Sequence, residues 1–214
     1  MSRENRRIVI LLSGKARSGK DTVTGYAVEE ADRNGLRALV YRISQPMKEW
    51  ASNDFMKLSE VLERIADEIR PYVDHRYVSA VDKLIVKPQN WFDPKTDITR
   101  CLLQIYGTDI FQNRVDPDWW SMIAAKEIEA KFLENANIVI VPDCRWPSNI
   151  DYIQSDIYET FTVRINRDDV PESHHPSECA LDDYSGWDAV IDNNGTLEEL
   201  RKTVYDKMSR LRLH

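Results

Sequence analysis

No apolar run in this 214-residue chain approaches the length needed to cross a bilayer. The segment Met1 to Arg7 precedes only five apolar residues, Ile8 to Leu12, and offers no cleavage signal. Cysteine is scarce. Cys101, Cys144 and Cys179 are odd in number and widely spaced, which suits a reducing compartment and does not make a disulfide framework. Basic charge is in deficit: 29 Lys and Arg stand against 36 Asp and Glu, giving a net charge of −7 and a pI near 5.2. That balance argues against a general binder of nucleic-acid backbones, while leaving room for local basic clusters. Internal repeats and low-complexity stretches are also missing. The expectation is a soluble, cytoplasmic protein that engages neither membrane nor nucleic acid.

What the chain does have is enough apolar residue, 42%, to bury one substantial core. Short apolar runs alternate with helical patterns at Ile8 to Leu12, Ala38 to Ile43, Ile138 to Val141, Phe161 to Ile165 and Ala189 to Ile191. The alternation predicts an α/β fold of three layers, a central parallel sheet of about five strands with helices on its faces. One domain over 1–214 with a helical lid or substrate-binding insertion at about 53–120 accounts for the length. The first helix is expected from Lys20 to Asn34-Gly35, where glycine supplies a stop. The last is the clearest: Thr196 with Glu199 forms a capping box, followed at helical spacing by Leu197, Leu200, Val204, Met208 and Leu211. Between Asn53 and Lys95 the spacing of Leu58, Val61, Leu62 and Ile65 predicts one amphipathic helix, with Pro71, Pro88 and Pro94 breaking the remainder. Two more helices are expected at about Ile98 to Phe111 and Pro117 to Glu134.

The most informative stretch is Gly14-Lys15-Ala16-Arg17-Ser18-Gly19-Lys20-Asp21-Thr22, directly after the first apolar run. A strand that ends in a glycine-bounded loop and restarts as a helix aims backbone N–H groups and a helix N-terminus at one point, where phosphate binds. Lys20 can then reach the outer phosphates of ATP, so the stretch reads as a P-loop. Asp21 stands where a Ser or Thr usually offers its hydroxyl to Mg²⁺, and that hydroxyl arrives one residue later as Thr22. Kinases of the adenylate kinase type share this placement, which favours a small-molecule kinase over a switch GTPase or motor. Asp21 either meets Mg²⁺ through water or simply favours the positive end of the helix dipole.

Three further constellations carry chemistry. Arg100 to Asp109, continued by Arg114 and Asp116-Pro117-Asp118-Trp119-Trp120, groups cationic, amide, hydroxyl and aromatic side chains that suit a phosphorylated ring: Arg forks a phosphate, an indole stacks on a base, and Gln104 or Thr108 reads polar edges. The structural alternative is a helix with a glycine stop and two core tryptophans. Asp143-Cys144-Arg145 follows an apolar strand, at the end where open α/β sheets bind ligands. Asp143 is placed to hold Mg²⁺ or orient an acceptor and Arg145 to neutralise a transferring phosphoryl group, or the two form a buried ion pair capping a turn. His174, His175 and Cys179 lack the paired spacing of a structural zinc site, so a loop near the nucleotide is expected there, with Glu178 pairing to a nearby Arg or Lys. Lys48 either faces the same cleft or is an exposed lysine of a first helical turn.

Taken together, the sequence resembles the deoxynucleoside monophosphate kinases of tailed bacteriophages, a family related in motif to animal phosphomevalonate kinases. The resemblance runs in order through Ser13 to Thr22, Pro46-Met47-Lys48, Leu103-Gln104-Ile105-Tyr106-Gly107-Thr108-Asp109 with Trp120 beyond, Asp143-Cys144-Arg145 and His175-Pro176-Ser177-Glu178. It implies a P-loop kinase using Mg²⁺ and ATP, with Lys20, Asp143 and Arg145 in phosphoryl transfer and Arg100, Gly107, Thr108 and Trp120 contacting the acceptor nucleotide. Lys48, Gln104, Arg114 and Trp119 complete the expected acceptor set, and Asp21 and Thr22 are the candidate Mg²⁺ contacts. A phage enzyme of this kind works in the host cytoplasm on small molecules, as a monomer or a homodimer. Two rivals remain: a phosphomevalonate-type or other small-phosphate kinase with fewer aromatic acceptor contacts, and a nucleotide-dependent binding module that hydrolyses ATP slowly under the control of a partner.

Overall fold

The structure, a computed structural model, describes residues 7–69, 103–170 and 175–210. Strand β1, Ile8–Ser13, is buried along its whole length. A strand covered on both faces must be apolar at every position, and β1 is so until Ser13. Helix α1, Lys20–Arg33, follows the loop and ends where Asn34 and Gly35 turn the chain into β2, Ala38–Val40. Helix α2 runs from Ser44 to Ile69, and α3, Ile105–Gln112, is a π-helix. Then come α4, Trp119–Leu133, β3, Ile138–Val141, α5, Pro147–Tyr152, β4, Glu159–Asn166, α6, Pro176–Cys179, β5, Ala189–Asp192, and α7, Leu197–Arg210.

All five strands are parallel, in the spatial order β2-β3-β1-β4-β5. From β1 the chain passes to the edge strand β2, returns to β3 beside β1, and then crosses β1 to β4 and β5, so the connections leaving the adjacent strands β1 and β3 run in opposite directions. In open α/β sheets the crevice at that switch point is where ligands bind, because the connections leave it uncovered. On one face Ile8, Ile10 and Leu12 pack with Val23, Ala27 and Ala31 of α1 and Leu200, Val204 and Met208 of α7. Helix α4 packs against β3 and α5. Among its buried positions are Trp120, Ala124, Ile128 and Phe132, which share one face of a helix.

The chain divides into two compact units. The first, 1–44 with 118–214, holds the whole sheet. The second, 45–117, holds nearly all of α2 together with α3. Within the second unit the Tyr106 hydroxyl donates to Asp54 at 2.6 Å, and Phe111 packs its ring 5.0 Å from Tyr106 and 5.9 Å from Trp50.

Several elements depart from the sequence expectation. Strand β2 stops at Val40 rather than Ile43, because the backbone of Ile43 and Ser44 turns to meet Asp143. Helix α2 begins about ten residues earlier than the apolar spacing suggests; Pro46 is tolerated in its first turn, where the missing N–H would have no intrahelical partner. In α7, Leu197 is exposed, while Leu200, Val204 and Met208 are buried as expected. Leu211, the segment 71–95, Arg100 and Cys101 lie outside the described residues. Cys144 and Cys179 are not joined in a disulfide, and burial pushes the Cys144 thiol well up.

Candidate active site

The loop between β1 and α1 sits at the switch point. Gly19 enters α1 with φ of 96°, a left-handed conformation that a side chain disfavours, and a Cβ there would collide with the Asn193 amide. Asn193 explains the fit: it lies just past β5, and its Nδ2 donates to the Ser18 carbonyl at 2.8 Å, tying the loop to the far side of the sheet. Arg17 adopts φ of 66°, the kind of strained backbone that persists where surrounding structure over-determines it. The Ser18 hydroxyl is buried and has no hydrogen-bond partner among the described residues, which marks the loop as built for a ligand rather than for its own satisfaction.

Lys20 folds back over this loop, donating to the carbonyls of Gly14 at 2.7 Å and Lys15 at 2.6 Å. Burial, reinforced by the positive charge of Arg145, lowers its pKa from the ordinary 10.5 to about 8 despite the opposing pull of Glu178 and Asp21. Thr24 bonds back to the Lys20 carbonyl at 2.7 Å. Asp21 is an exposed carboxylate paired with Arg42 at 2.6 Å, and Thr22 is half-buried in the same first turn.

Arg145 comes from the end of β3 and forms an ion pair with Glu178 of α6, also donating to the Ser177 carbonyl at 3.2 Å. Its backbone is fixed separately: Asn149 Oδ1 accepts from the N–H groups of Arg145 at 2.9 Å and Trp146 at 3.0 Å, while Nδ2 donates to Ser121 in α4 at 2.9 Å. The Glu178 side chain is 5% exposed, and its other oxygen accepts from the Ala16 N–H of the P-loop at 3.2 Å. Burial alone would push this carboxyl up, but the Arg145 guanidinium, Lys20 and the Ala16 N–H outweigh it and hold the pKa below the ordinary range. Beside it Asp182 bridges Lys15 and Arg164, with Arg164 also donating to Ser13 at 3.2 Å.

Asp143 does something different from Arg145. Both of its carboxylate oxygens are occupied by backbone donors, Ile43 N–H and Ser44 N–H, each at 2.9 Å. It thus caps the start of α2 and compensates the positive helix end, and it makes no pair with Arg145 among the contacts described. In this structure it anchors an element about 100 residues upstream.

The expected acceptor residues fall in different places. Gln104, Gly107, Thr108 and Arg114 lie on or beside α3, and Lys48 lies in the first turns of α2, all in the second unit. A Cβ on Gly107 would strike the Met47 sulfur, so a side chain there would not fit beside α2. Trp119 is half-buried in the first unit. Trp120 is 5% exposed on the buried face of α4, a position that suits packing. Trp120→Ala is therefore expected to cost about 3–5 kcal/mol in urea unfolding and to impair every substrate equally. A rise confined to the KM of one substrate, at unchanged stability, would restore the stacking role.

Sequence reasoning missed Arg164, Asp182 and Asn193 around the loop and Asn149 as the anchor of the Arg145 backbone. A signal existed for two of them: Arg164 interrupts an apolar strand, and Asn193 follows a strand at the ligand-binding end of the sheet.

A family model for deoxynucleotide monophosphate kinases matches residues 49–204, most of the chain. The protein belongs to the deoxynucleotide monophosphate kinase family. It is a phosphotransferase of that family, with the P-loop, Lys20 and Arg145 gathered at the switch point of its sheet. This family member is 25% identical to the deoxynucleotide monophosphate kinase of Enterobacteria phage T4 over 246 aligned positions, covering 95% of this chain and 99% of that one. Among solved structures, an unliganded sugar kinase from Janibacter sp. HTCC2649 aligns with 97% of this chain and 95% of its own at 12% identity and a TM-score of 0.44.

Proposed function

We propose that the protein transfers the γ-phosphoryl group of ATP to the 5′-phosphate of a deoxynucleoside monophosphate, giving ADP and the diphosphate for DNA precursor synthesis in the host cytoplasm of a phage. The observation that carries this reading is the convergence of the loop amides, Lys20 and Arg145 at the end of β1 in a chain of this family. In the reaction Lys20 would hold the outer phosphates and Arg145 would meet charge that grows on the transferring group. Both act by position and electrostatics, with no covalent intermediate on the protein. Substrates are small molecules, and the acceptor would be read by Lys48, Arg100, Gln104, Gly107, Thr108, Arg114 and Trp119.

The oxygen donors at the start of α1 suit Mg²⁺: the Thr22 hydroxyl and the Asp21 carboxylate are hard ligands in its first turn, and the Ser18 hydroxyl, without a partner among the described residues, belongs to the same phosphate cradle. Bound there, the ion would neutralise phosphate charge.

The pH dependence follows from Lys20. In the free enzyme its ammonium loses its proton as pH rises through about 8. The kcat/KM for ATP is then expected to fall about tenfold per pH unit above that point, whereas kcat, governed by a complex in which phosphate anions hold the proton, should fall only at higher pH. The stability sign is opposite. Between about 8 and 10.5 the unfolded chain binds the proton that the folded chain has released, so stability rises with pH across that window. Initial rates and thermal unfolding in a common buffer series from pH 6 to 10 separate the two effects.

A panel of ribo- and deoxynucleoside monophosphates assayed for ADP release tests the function. A kinase is nearly silent until an acceptor is added and prefers deoxynucleotides. A small-phosphate kinase responds to none of them, and a switch hydrolyses ATP regardless.

A further inference from the structure

Glu178 holds an unusual position for a carboxylate. Its side chain is 5% exposed, one oxygen pairs with the Arg145 guanidinium, and the other accepts the Ala16 N–H at 3.2 Å. Lys20 lies close enough to pull on its charge. These are three groups of the kind that bind a phosphate oxyanion: a planar guanidinium, an ammonium and a P-loop amide. The short helix α6 that carries Glu178 is fastened to the same loop by Lys15, whose Nζ donates to the Glu178 carbonyl at 2.9 Å and pairs with Asp182. The chain thus supplies its own anion to the cation cluster that the donor phosphates require.

We propose that Glu178 sets the affinity of the donor site, by competing with the terminal phosphates of the nucleotide for Arg145 and the Ala16 amide. The inference rests on the donor reading given above. A phosphate chain entering the cradle must displace a charge-assisted pair already made, so apparent affinity is reduced by the fraction of molecules in the paired state. Glu178 is therefore a positioning residue that acts through Arg145, and its removal tightens phosphate binding, a signature that loss of a packing contact does not give.

The test uses the full chain and inorganic tripolyphosphate, a donor-phosphate mimic without base or sugar. By calorimetry, Glu178→Gln and Glu178→Ala are each expected to bind tripolyphosphate about 10-fold tighter than wild type and to lower KM for ATP, with Glu178→Asp, which keeps the charge on a shorter stem, in between. Equal or weaker binding by the neutral variants overturns the proposal. A readout on the wild-type protein guards against misfolded variants: the Glu178 carboxyl, followed by carbon NMR, should titrate at higher pH once tripolyphosphate saturates the site, because it has exchanged Arg145 for an anionic neighbour. An unchanged titration also overturns it. If wild type binds neither tripolyphosphate nor ATP, the donor reading falls too; if wild type binds and the variants bind no better, this inference alone falls.

Discussion

Lys20→Ala is expected to lower turnover at least ~100-fold while leaving the fold intact, because it removes a cation that the P-loop reading places at the transferring phosphates. The side chain is half-buried over the loop, and its contacts in the structure are two carbonyl oxygens of that loop, Gly14 and Lys15. Neither belongs to the apolar core, so circular dichroism and the unfolding midpoint should barely move. Stability has reason to hold, since burial already disfavours the charged form of this lysine and its removal relieves that cost. Replacement by arginine should fail to rescue: the guanidinium is larger, and a compact ammonium is what fits between the two carbonyls. Wild-type turnover in a folded Lys20→Ala protein would remove the phosphate-site assignment.

The second large effect is expected at Arg145. Arg145→Ala should lower kcat by ~100-fold or more and weaken ATP binding by a smaller factor, since the charge that the guanidinium meets grows toward the transition state. The variant also strands the Glu178 carboxylate in a nearly buried position. A modest loss of stability should therefore accompany the kinetic defect, as breaking an ion pair leaves its partner's desolvation uncompensated. The comparison that matters is between the two quantities. A folded variant whose stability drops while kcat stays within twofold of wild type would make Arg145 a structural cation.

Residues whose function depends on local order were legible in the sequence. The P-loop is strand, loop and helix in immediate succession, so the positions of Gly14, Gly19 and Lys20 follow from adjacency alone. The last helix was equally plain: Thr196 Oγ1 and the Glu199 carboxylate exchange the reciprocal bonds of a capping box, the Thr196 N–H donating at 2.8 Å and the Glu199 N–H at 3.2 Å. Four of the five strands lie close to the apolar runs that announced them, most plainly β1 and β3, which are buried along their whole length and are apolar at nearly every position.

What was not legible depends on contacts between distant segments. Asp143 reaches two amides about 100 residues earlier in the chain, and no spacing rule links such positions. The Arg145–Glu178 pair joins the ends of different connections, and only the general expectation that Glu178 meets some basic side chain was available beforehand. Trp120 shows a different limit. A tryptophan at helical spacing from Ala124 and Ile128 fits a core stripe and an aromatic platform equally well, and only burial distinguishes them. The π-helix from Ile105 to Gln112 departs from the 3.6-residue period on which sequence patterns are read, so the facing of Gly107 toward Met47 had no precursor in the spacing.

The most direct test follows the phosphoryl group itself. With γ-labelled ATP and a deoxynucleoside monophosphate, the label should appear in the β-position of the deoxynucleoside diphosphate, in step with ADP, and should vanish from that product in Lys20→Ala. Label released only as inorganic phosphate, at a rate indifferent to the monophosphate, would contradict phosphoryl transfer to a nucleotide acceptor.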